Sequence, residues 1–416
     1  MASPKNPTDK PVESIHPDNL PDAQPDHLAT ALTALVDHSA QHTDVGQGIH
    51  APMHLVFKIP WIHKLIPGIE KLAVAYHIGN FVLVRETGEP IFESMPLYAR
   101  VGMHLLFYGR GRALVLGTQT IEHLLREQSI KEGKIFDSPK SVQSIPSFVQ
   151  TYSLKTDELL EPNLNAYKCF NEFFSRRLRP DARPVHDAES TLGICSAADC
   201  RLTVYQSIDL AKEFWIKGTN FTIPNLLNLA PSSKKAKAFS DASVAIFRLA
   251  PADYHRFHSP IDCTVGDVDD IPGQYYTVNP QAVNEDFDVF TANRRAVLYL
   301  THVGTGLPVA FVAIGALLVG SIQWTGGNVK GRQVKRGEEL GYFLYGGSTV
   351  VAVFPKGVIE FDEDLVKNSK QPIETLVKVG HSIGKTPSGT AGKVRNRGAS
   401  LALTNVLQKF GITKGN

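Results

Sequence analysis

Apolar positions along this chain change their period once. From Met53 to Leu125 they recur at helical spacing. Trp61, Ile62, Leu65, Ile66, Ile69 and Leu72 approximate a 3.6-residue repeat, with Lys58, Lys64 and Lys71 on or near the other face. Pro60 and Pro67 break that run into short pieces. Met95 to Leu125 forms a second helical stretch, in which Arg100, Arg110, Arg112 and the adjoining Arg126 lie among Leu, Val and Phe. Such a stretch is either a helical layer packed on a core or a basic, apolar surface that touches lipid. Phe170 to Pro180 predicts a helix end with aromatic anchors and a basic turn.

Beyond about Arg183 the texture is that of short strands. Arg201–Tyr205, Val244–Leu249, Ala296–Leu300 and Val309–Ala313 are compact runs separated by Gly and Pro turns. No helices alternate with them, which excludes a doubly wound parallel sheet. The expected fold class is α+β: an N-terminal helical layer, then a β-rich catalytic core of antiparallel or mixed sheets. The longest apolar run, Leu307 to Ile322, is shorter than the roughly 20 residues a membrane-spanning helix needs. Its Val, Ile and Gly content predicts two buried strands instead.

Four segments are expected. Residues 1–50, rich in Pro, Asp, His and Gln, read as disordered, with neither an apolar signal core nor the acid-poor character of a mitochondrial presequence. Residues 51–150 are the helical segment, a candidate membrane contact. Residues 151–384 are the catalytic core, and 385–416 a basic C-terminal tail. From Thr375 onward the chain contains no Asp or Glu, so the tail either solvates the end of the protein or meets an anionic bilayer.

Composition narrows the picture little. A net charge of +2 argues against a dedicated nucleic-acid binder. Cys169, Cys195, Cys200 and Cys263 form neither a CxxC pair nor a metal-ligand spacing, and read as free thiols of a reducing compartment.

The chemistry concentrates in two strings. In Glu339–Phe354 a strand-like run is interrupted by Gly346-Gly347, then Ser348-Thr349, then a second strand-like run. Glycines let the peptide before Ser348 adopt conformations closed to other residues. A strained peptide beside a hydroxyl can undergo an N-to-O acyl shift once a base takes the hydroxyl proton. Elimination and hydrolysis then leave a ketone where the serine stood. That ketone is an electron sink, which side chains lack. The second string, Tyr254-His255-Arg256-Phe257-His258-Ser259-Pro260, carries two histidines three apart. In a strand or loop they point different ways. One can activate Ser348 and the other can move a proton in the reaction. Asp199, between small residues and the strand Leu202–Tyr205, is a candidate orienting carboxylate. No third ligand accompanies His255 and His258, so no metal is expected. Taken singly each signal is weak: a Gly-Gly-Ser is usually a turn, a His-x-x-His usually structural, and an Asp before a strand usually a cap or ion-pair partner.

Together, these phrases resemble the phosphatidylserine decarboxylase family. The resemblance runs from about Leu97 to Lys385 and is densest from Phe170. It is carried by FNEFFSRRLRPDARPV (170–185), SAADCRLTVY (196–205), FWIKGTNFTIPNLL (214–227), RLAPADYHRFHSPIDCTVG (248–266), GQYYTVNPQAV (273–283), VAIGALLVGSI (312–322), GEELGYFLYGGSTVVAVF (337–354) and DLVKNSKQPIETLVKVGHSIG (364–384). The Gly-Gly-Ser-Thr string is similar to that of the eukaryotic endomembrane (type II) branch.

The resemblance implies autocatalytic cleavage between Gly347 and Ser348. It implies a β chain of residues 1–347 and an α chain of 348–416 headed by a pyruvoyl cofactor made from Ser348. Asp199, His258 and Ser348 are implied as the self-processing triad, with His255 assisting decarboxylation of phosphatidylserine to phosphatidylethanolamine and CO2. Peripheral contact on the cytoplasmic side of an endomembrane, or residence in the cytosol without secretion, and a homodimer are also implied. Cys200 stands where the family usually has Gly or Ser. The C2 and EF-hand-like segments of the type II branch find no counterpart before Leu97, and its calcium dependence is not carried over. Two other readings stand beside this one: a pyruvoyl decarboxylase of a soluble, for example aromatic, amino acid, and an unprocessed lipid-binding protein. The retained Asp199, His255, His258 and Ser348 weigh against the second.

Overall fold

The computed structural model describes residues 79–94, 133–214, 221–273, 289–315, 322–344, 348–371 and 373–388. The expectations for residues 1–50, for the helical runs at 53–78 and 95–125, and for most of the tail fall outside these residues.

Ten strands form one large sheet. In chain order they are β1 (Gly79–Val84), β2 (Pro90–Ser94), β4 (Cys200–Tyr205), β5 (Ser243–Leu249), β7 (Cys263–Ile271), β8 (Arg295–His302), β9 (Pro308–Gly315), β11 (Gln333–Val334), β13 (Ser348–Phe354) and β15 (Glu374–Val377). Their order across the sheet is β11-β7-β8-β9-β13-β5-β4-β15-β1-β2. A second sheet comprises β6 (Arg256–His258), β10 (Ile322–Trp324) and β12 (Glu339–Phe343), in the order β10-β12-β6. The third comprises β3 (Gly193–Cys195), β14 (Glu360–Phe361) and β16 (Ser382–Lys385), in the order β14-β16-β3. Among the described strands every pairing is antiparallel except β1 with β15. The helices used below are α1 (Ile145–Tyr152), α2 (Phe170–Phe174), α3 (Ile208–Phe214) and α4 (Ile223–Leu226).

The middle of the large sheet is covered on both faces, which explains its nearly unbroken apolar runs. All seven residues of β13 are buried. Leu202, Phe247, Phe311, Val350 and Ala352 share one hydrophobic cluster with Leu340, Phe257 and Phe343 of the second sheet. The Phe257 ring lies 5.6 Å from Phe311 and 5.0 Å from Phe343. Gly341 permits this approach, since a Cβ there would meet the Phe257 ring and the Gln323 carbonyl. Near α4, Arg295 donates from Nε to the Leu226 carbonyl at 2.8 Å and from Nη2 to the Asn225 carbonyl at 2.9 Å.

A smaller aromatic cluster joins Ile145 and Phe148 of α1 to Phe170, Phe173 and Phe174 of α2. The division expected at residue 150 therefore falls inside one packed unit. Residues 79–94, expected to be helical, form a hairpin instead. β-branched residues favour the pleated backbone, Thr87-Gly88 turns the chain with Gly88 at φ 72°, and the free edge of β15 takes up β1. Lys385, placed at the start of the tail, pairs with Gly193 and Glu360, and Thr386 is fully buried, so the core extends past it. The Leu307–Ile322 run opens into β9 and ends at the start of β10, with 316–321 outside the described residues. Among the described residues no helix is long and apolar enough to cross a membrane.

Candidate active site

Ser348 is the first residue of β13, paired with Leu249 at the end of β5 and with Gly315 at the end of β9. β4 pairs with β5 so that Arg201 lies opposite Arg248, which puts Asp199 and Cys200 at this same end of the sheet. From Leu249 the chain turns through Ala250–Tyr254 into β6, which carries His255 just before its first residue and His258 as its last. The topology thus gathers all four predicted residues around one end of the sheet, although they are far apart in sequence. Tyr345, Gly346 and Gly347 lie outside the described residues.

The Ser348 side chain is fully buried, and its hydroxyl makes no hydrogen bond to any described residue. Thr349 is in the same condition. Native proteins rarely leave buried hydroxyls unsatisfied, and exceptions cluster where chemistry is done.

His255 is fully buried, with Phe174 of α2 against its ring at 3.9 Å between centroids. Its Nδ1 lies 2.9 Å from the Asp253 carbonyl. A carbonyl only accepts, so Nδ1 carries the proton and Nε2 is the basic nitrogen of the neutral ring. The loop is held by Asp253, which accepts from the Ala250 N–H at 2.7 Å and pairs with Arg201.

His258 is fixed in the same way. Its Nδ1 lies 2.8 Å from the Gly337 carbonyl, and Nε2 takes the Tyr254 hydroxyl at 3.2 Å. Gly337 adopts φ 84° in a tight turn, a conformation costly for other residues, and a Cβ there would also collide with Val185.

Asp199, 8% exposed, does not bond to His258. Its carboxylate is gripped by Arg183, with Nε at 2.9 and 3.0 Å and Nη2 at 2.6 Å, and accepts the Val379 N–H at 2.9 Å. Arg183 is shared with Glu158 at 2.8 Å. Asp199 instead acts on His258 through its charge. Burial lowers the imidazole's pKa below the ordinary histidine value, while the Gly337 hydrogen bond and the charges of Glu339 and Asp199 push the other way. Sequence reasoning missed Arg183, Gly337 and Val379 as partners. Only Tyr254, in the same short string as the histidines, offered a local signal.

The lowered pKa fixes a sign. The His258 imidazole takes up a proton at lower pH than an ordinary histidine, so the neutral form predominates at pH 7. Chain splitting that uses it as a base is expected to run at a plateau through neutral pH and to fall on acidification. His302 and His381 are likewise lowered by burial, and for His381 the charge of Glu86 opposes that burial. All three bind protons less readily folded than unfolded. Their contribution to stability is therefore complete above the unfolded value of about 6.5 and is lost as pH falls through the lower folded values. A pH-jump series scoring split chain on a gel, with melting followed in parallel, checks both statements. A splitting rate that rises on acidification would remove His258 as the base.

Known proteins resemble this chain over the same region. A family model described as phosphatidylserine decarboxylase matches residues 170–385. The chain is 47% identical over 304 residues to the phosphatidylserine decarboxylase proenzyme 2 of Komagataella phaffii, covering 73% of this chain and 29% of that protein. It is 40% identical over 331 residues to proenzyme 2 of Saccharomyces cerevisiae, covering 78% and 28%. It is also 37% identical over 252 residues to the phosphatidylserine decarboxylase proenzyme of Fusobacterium nucleatum, covering 61% of this chain and 81% of that one. The chain thus spans less than a third of the two fungal proteins but most of the bacterial one. The match extends over more than half of the sequence, contains every predicted site residue, and coincides with the β-rich core just described; the chain belongs to the phosphatidylserine decarboxylase family.

Proposed function

We propose that this chain is the precursor of a pyruvoyl-dependent decarboxylase. It splits between Gly347 and Ser348, then converts phosphatidylserine to phosphatidylethanolamine and CO2. The observation that carries the reading is the fully buried Ser348 hydroxyl at the head of β13, unbonded to any described residue, within a chain of this family. A hydroxyl that is to be consumed has no need of a lasting hydrogen-bond partner, so the site fits the cofactor. The pyruvoyl group would supply an electron sink for the bonding pair that departing CO2 leaves on the α-carbon.

The remaining work falls to the chain's own side chains. His258 Nε2, which accepts the Tyr254 hydroxyl and no hydrogen bond from Ser348 in this structure, gives up that bond to take the Ser348 hydroxyl proton, while the Gly337 carbonyl holds Nδ1–H. The Asp199 charge favours the imidazolium as it forms. His255 carries the later proton on Nε2, since its Nδ1 is committed to Asp253. Splitting and decarboxylation then rest on different histidines. The variant His255→Gln is expected to split normally but to lose about 10²–10⁴-fold in CO2 release. Equal loss of splitting and CO2 release would show that the two roles are not separate.

The lipid reading is tested by comparing CO2 from phosphatidylserine vesicles with CO2 from free serine or tryptophan. Turnover of the amino acid without turnover of the lipid would transfer the proposal to a soluble substrate. Peripheral association with the cytoplasmic side of an endomembrane and a homodimeric state belong to the same proposal. Vesicle sedimentation and light scattering check them.

A further inference from the structure

A cleft of about 560 Å³ opens between α2 and β12. Lys168, Arg176, Arg177, Arg256, Tyr342 and Leu344 are among the residues lining it, and Leu344 belongs to the segment that leads into Ser348. Arg176 is only 6% exposed. Its Nη2 donates to the carbonyls of Ala252 at 2.9 Å and Asp253 at 3.0 Å, and its Nη1 to that of Phe174 at 3.4 Å. Its Nε makes no hydrogen bond to a described residue, and no described carboxylate lies within ion-pair distance.

The neighbouring arginines differ. Arg183 has Asp199 and Glu158, Arg201 has Asp253, Arg248 has Glu374, and Arg256 has Glu339. The acids of the cleft are already engaged. Asp137 accepts from the Asn171 amide, Glu161 from the Asn163 N–H and Glu172 from the Lys168 N–H. Burial pulls the Arg176 guanidinium down to about 10, which still leaves it charged at neutral pH. The charges of Asp253 and Asp199 reach it only from beyond ion-pair distance. A buried cation with no carboxylate in contact is costly and favours an anion brought in from outside.

We propose that Arg176 is the residue that receives the phosphodiester of the substrate headgroup. This deepens the decarboxylase reading and rests on it. The alternative anion, the substrate's carboxylate, fits less well. Its charge leaves during the reaction, and a cation clamped on it would stabilise the ground state more than the transition state. The phosphodiester keeps its charge throughout, so binding it anchors the substrate at no cost to the barrier. Arg176 shares the Asp253 carbonyl with the Nδ1 of His255, so the anion seat and the proton-carrying histidine are tied to one loop. At the rim, exposed Arg177 and Leu160 (53% exposed) suit the boundary between headgroup and acyl chains.

The test separates binding from turnover. In the unsplit Ser348→Ala precursor, ³¹P NMR titration with glycerophosphoethanolamine is expected to show binding that Arg176→Gln weakens about tenfold or more, the worth of one charge-assisted contact. Free serine is expected not to compete, and inorganic phosphate to bind more weakly. No binding by the precursor, unchanged affinity in Arg176→Gln, displacement by serine, or equal affinity for inorganic phosphate would each overturn the proposal. Should Arg176→Gln not fold, Arg177→Gln at the exposed rim decides: about threefold weaker binding supports the seat, and none removes it. In the split enzyme, Arg176→Gln is expected to raise KM for phosphatidylserine vesicles more than it lowers kcat. If the split wild-type enzyme releases no CO2 from phosphatidylserine, the decarboxylase reading fails, while the titration still decides the anion seat.

Discussion

Replacing Ser348 with Ala is expected to leave one chain of 45.6 kDa and to abolish CO2 release, a loss of at least about a million-fold. In the proposed scheme Ser348 has two jobs in sequence, and alanine can do neither. It lacks the oxygen that attacks the Gly347 carbonyl, and it cannot become the electron sink. The substitution should cost little stability, because the hydroxyl it removes is buried without a partner among the described residues. A normal melting curve beside a single mass is therefore the expected signature. In the wild-type protein the two chain masses should sum to the precursor plus one water minus one ammonia. The water resolves the eliminated serine and the ammonia is its former amide nitrogen. A sum of precursor plus water alone would indicate ordinary hydrolysis and would refute the self-processing reading.

The second large effect concerns stability. Arg183→Ala is expected to lower stability by about 3–5 kcal/mol, because it leaves the Asp199 carboxylate buried with only the Val379 N–H to hold it. For a protein of this size that is a fall in melting temperature on the order of 10 °C. Glu158 loses the same partner but is more exposed and should add little. Arg183→Lys keeps the charge without the two-pronged grip and should fall between. Melting in the Ser348→Ala background avoids mixing split and unsplit chains. A fall of no more than about a degree or two would mean that Asp199 finds compensation elsewhere. Splitting should also slow in Arg183→Ala, since a carboxylate released from its clamp no longer holds its charge at a fixed distance from His258.

The strands were legible in the sequence because each follows from a local pattern. β4, β5, β8 and β9 fall on the apolar runs noted at 201–205, 244–249, 296–300 and 309–313. Their side chains are buried on both faces, so the runs are continuous and bounded by turns. The hairpin at 79–94 was not legible in this way. It is added to the sheet by β15, almost three hundred residues later, and its flanks carry helical periodicity.

The same contrast holds at the site. The order of residues alone marked Ser348, His255, His258 and Asp199 as candidates, because these strings, each weak singly, together match one family. What each nitrogen and oxygen bonds to was decided only by the tertiary structure. Asp199 meets Arg183 across 16 positions and Val379 across 180, and His258 meets Gly337 across 79. No local pattern encodes such pairings, since strand order and register bring these groups together. The sequence determined which residues are the candidates for the chemistry; the sheet decided that Asp199 is clamped by an arginine, that a glycine carbonyl orients His258, and that Arg176 is left buried with no described carboxylate in ion-pair reach.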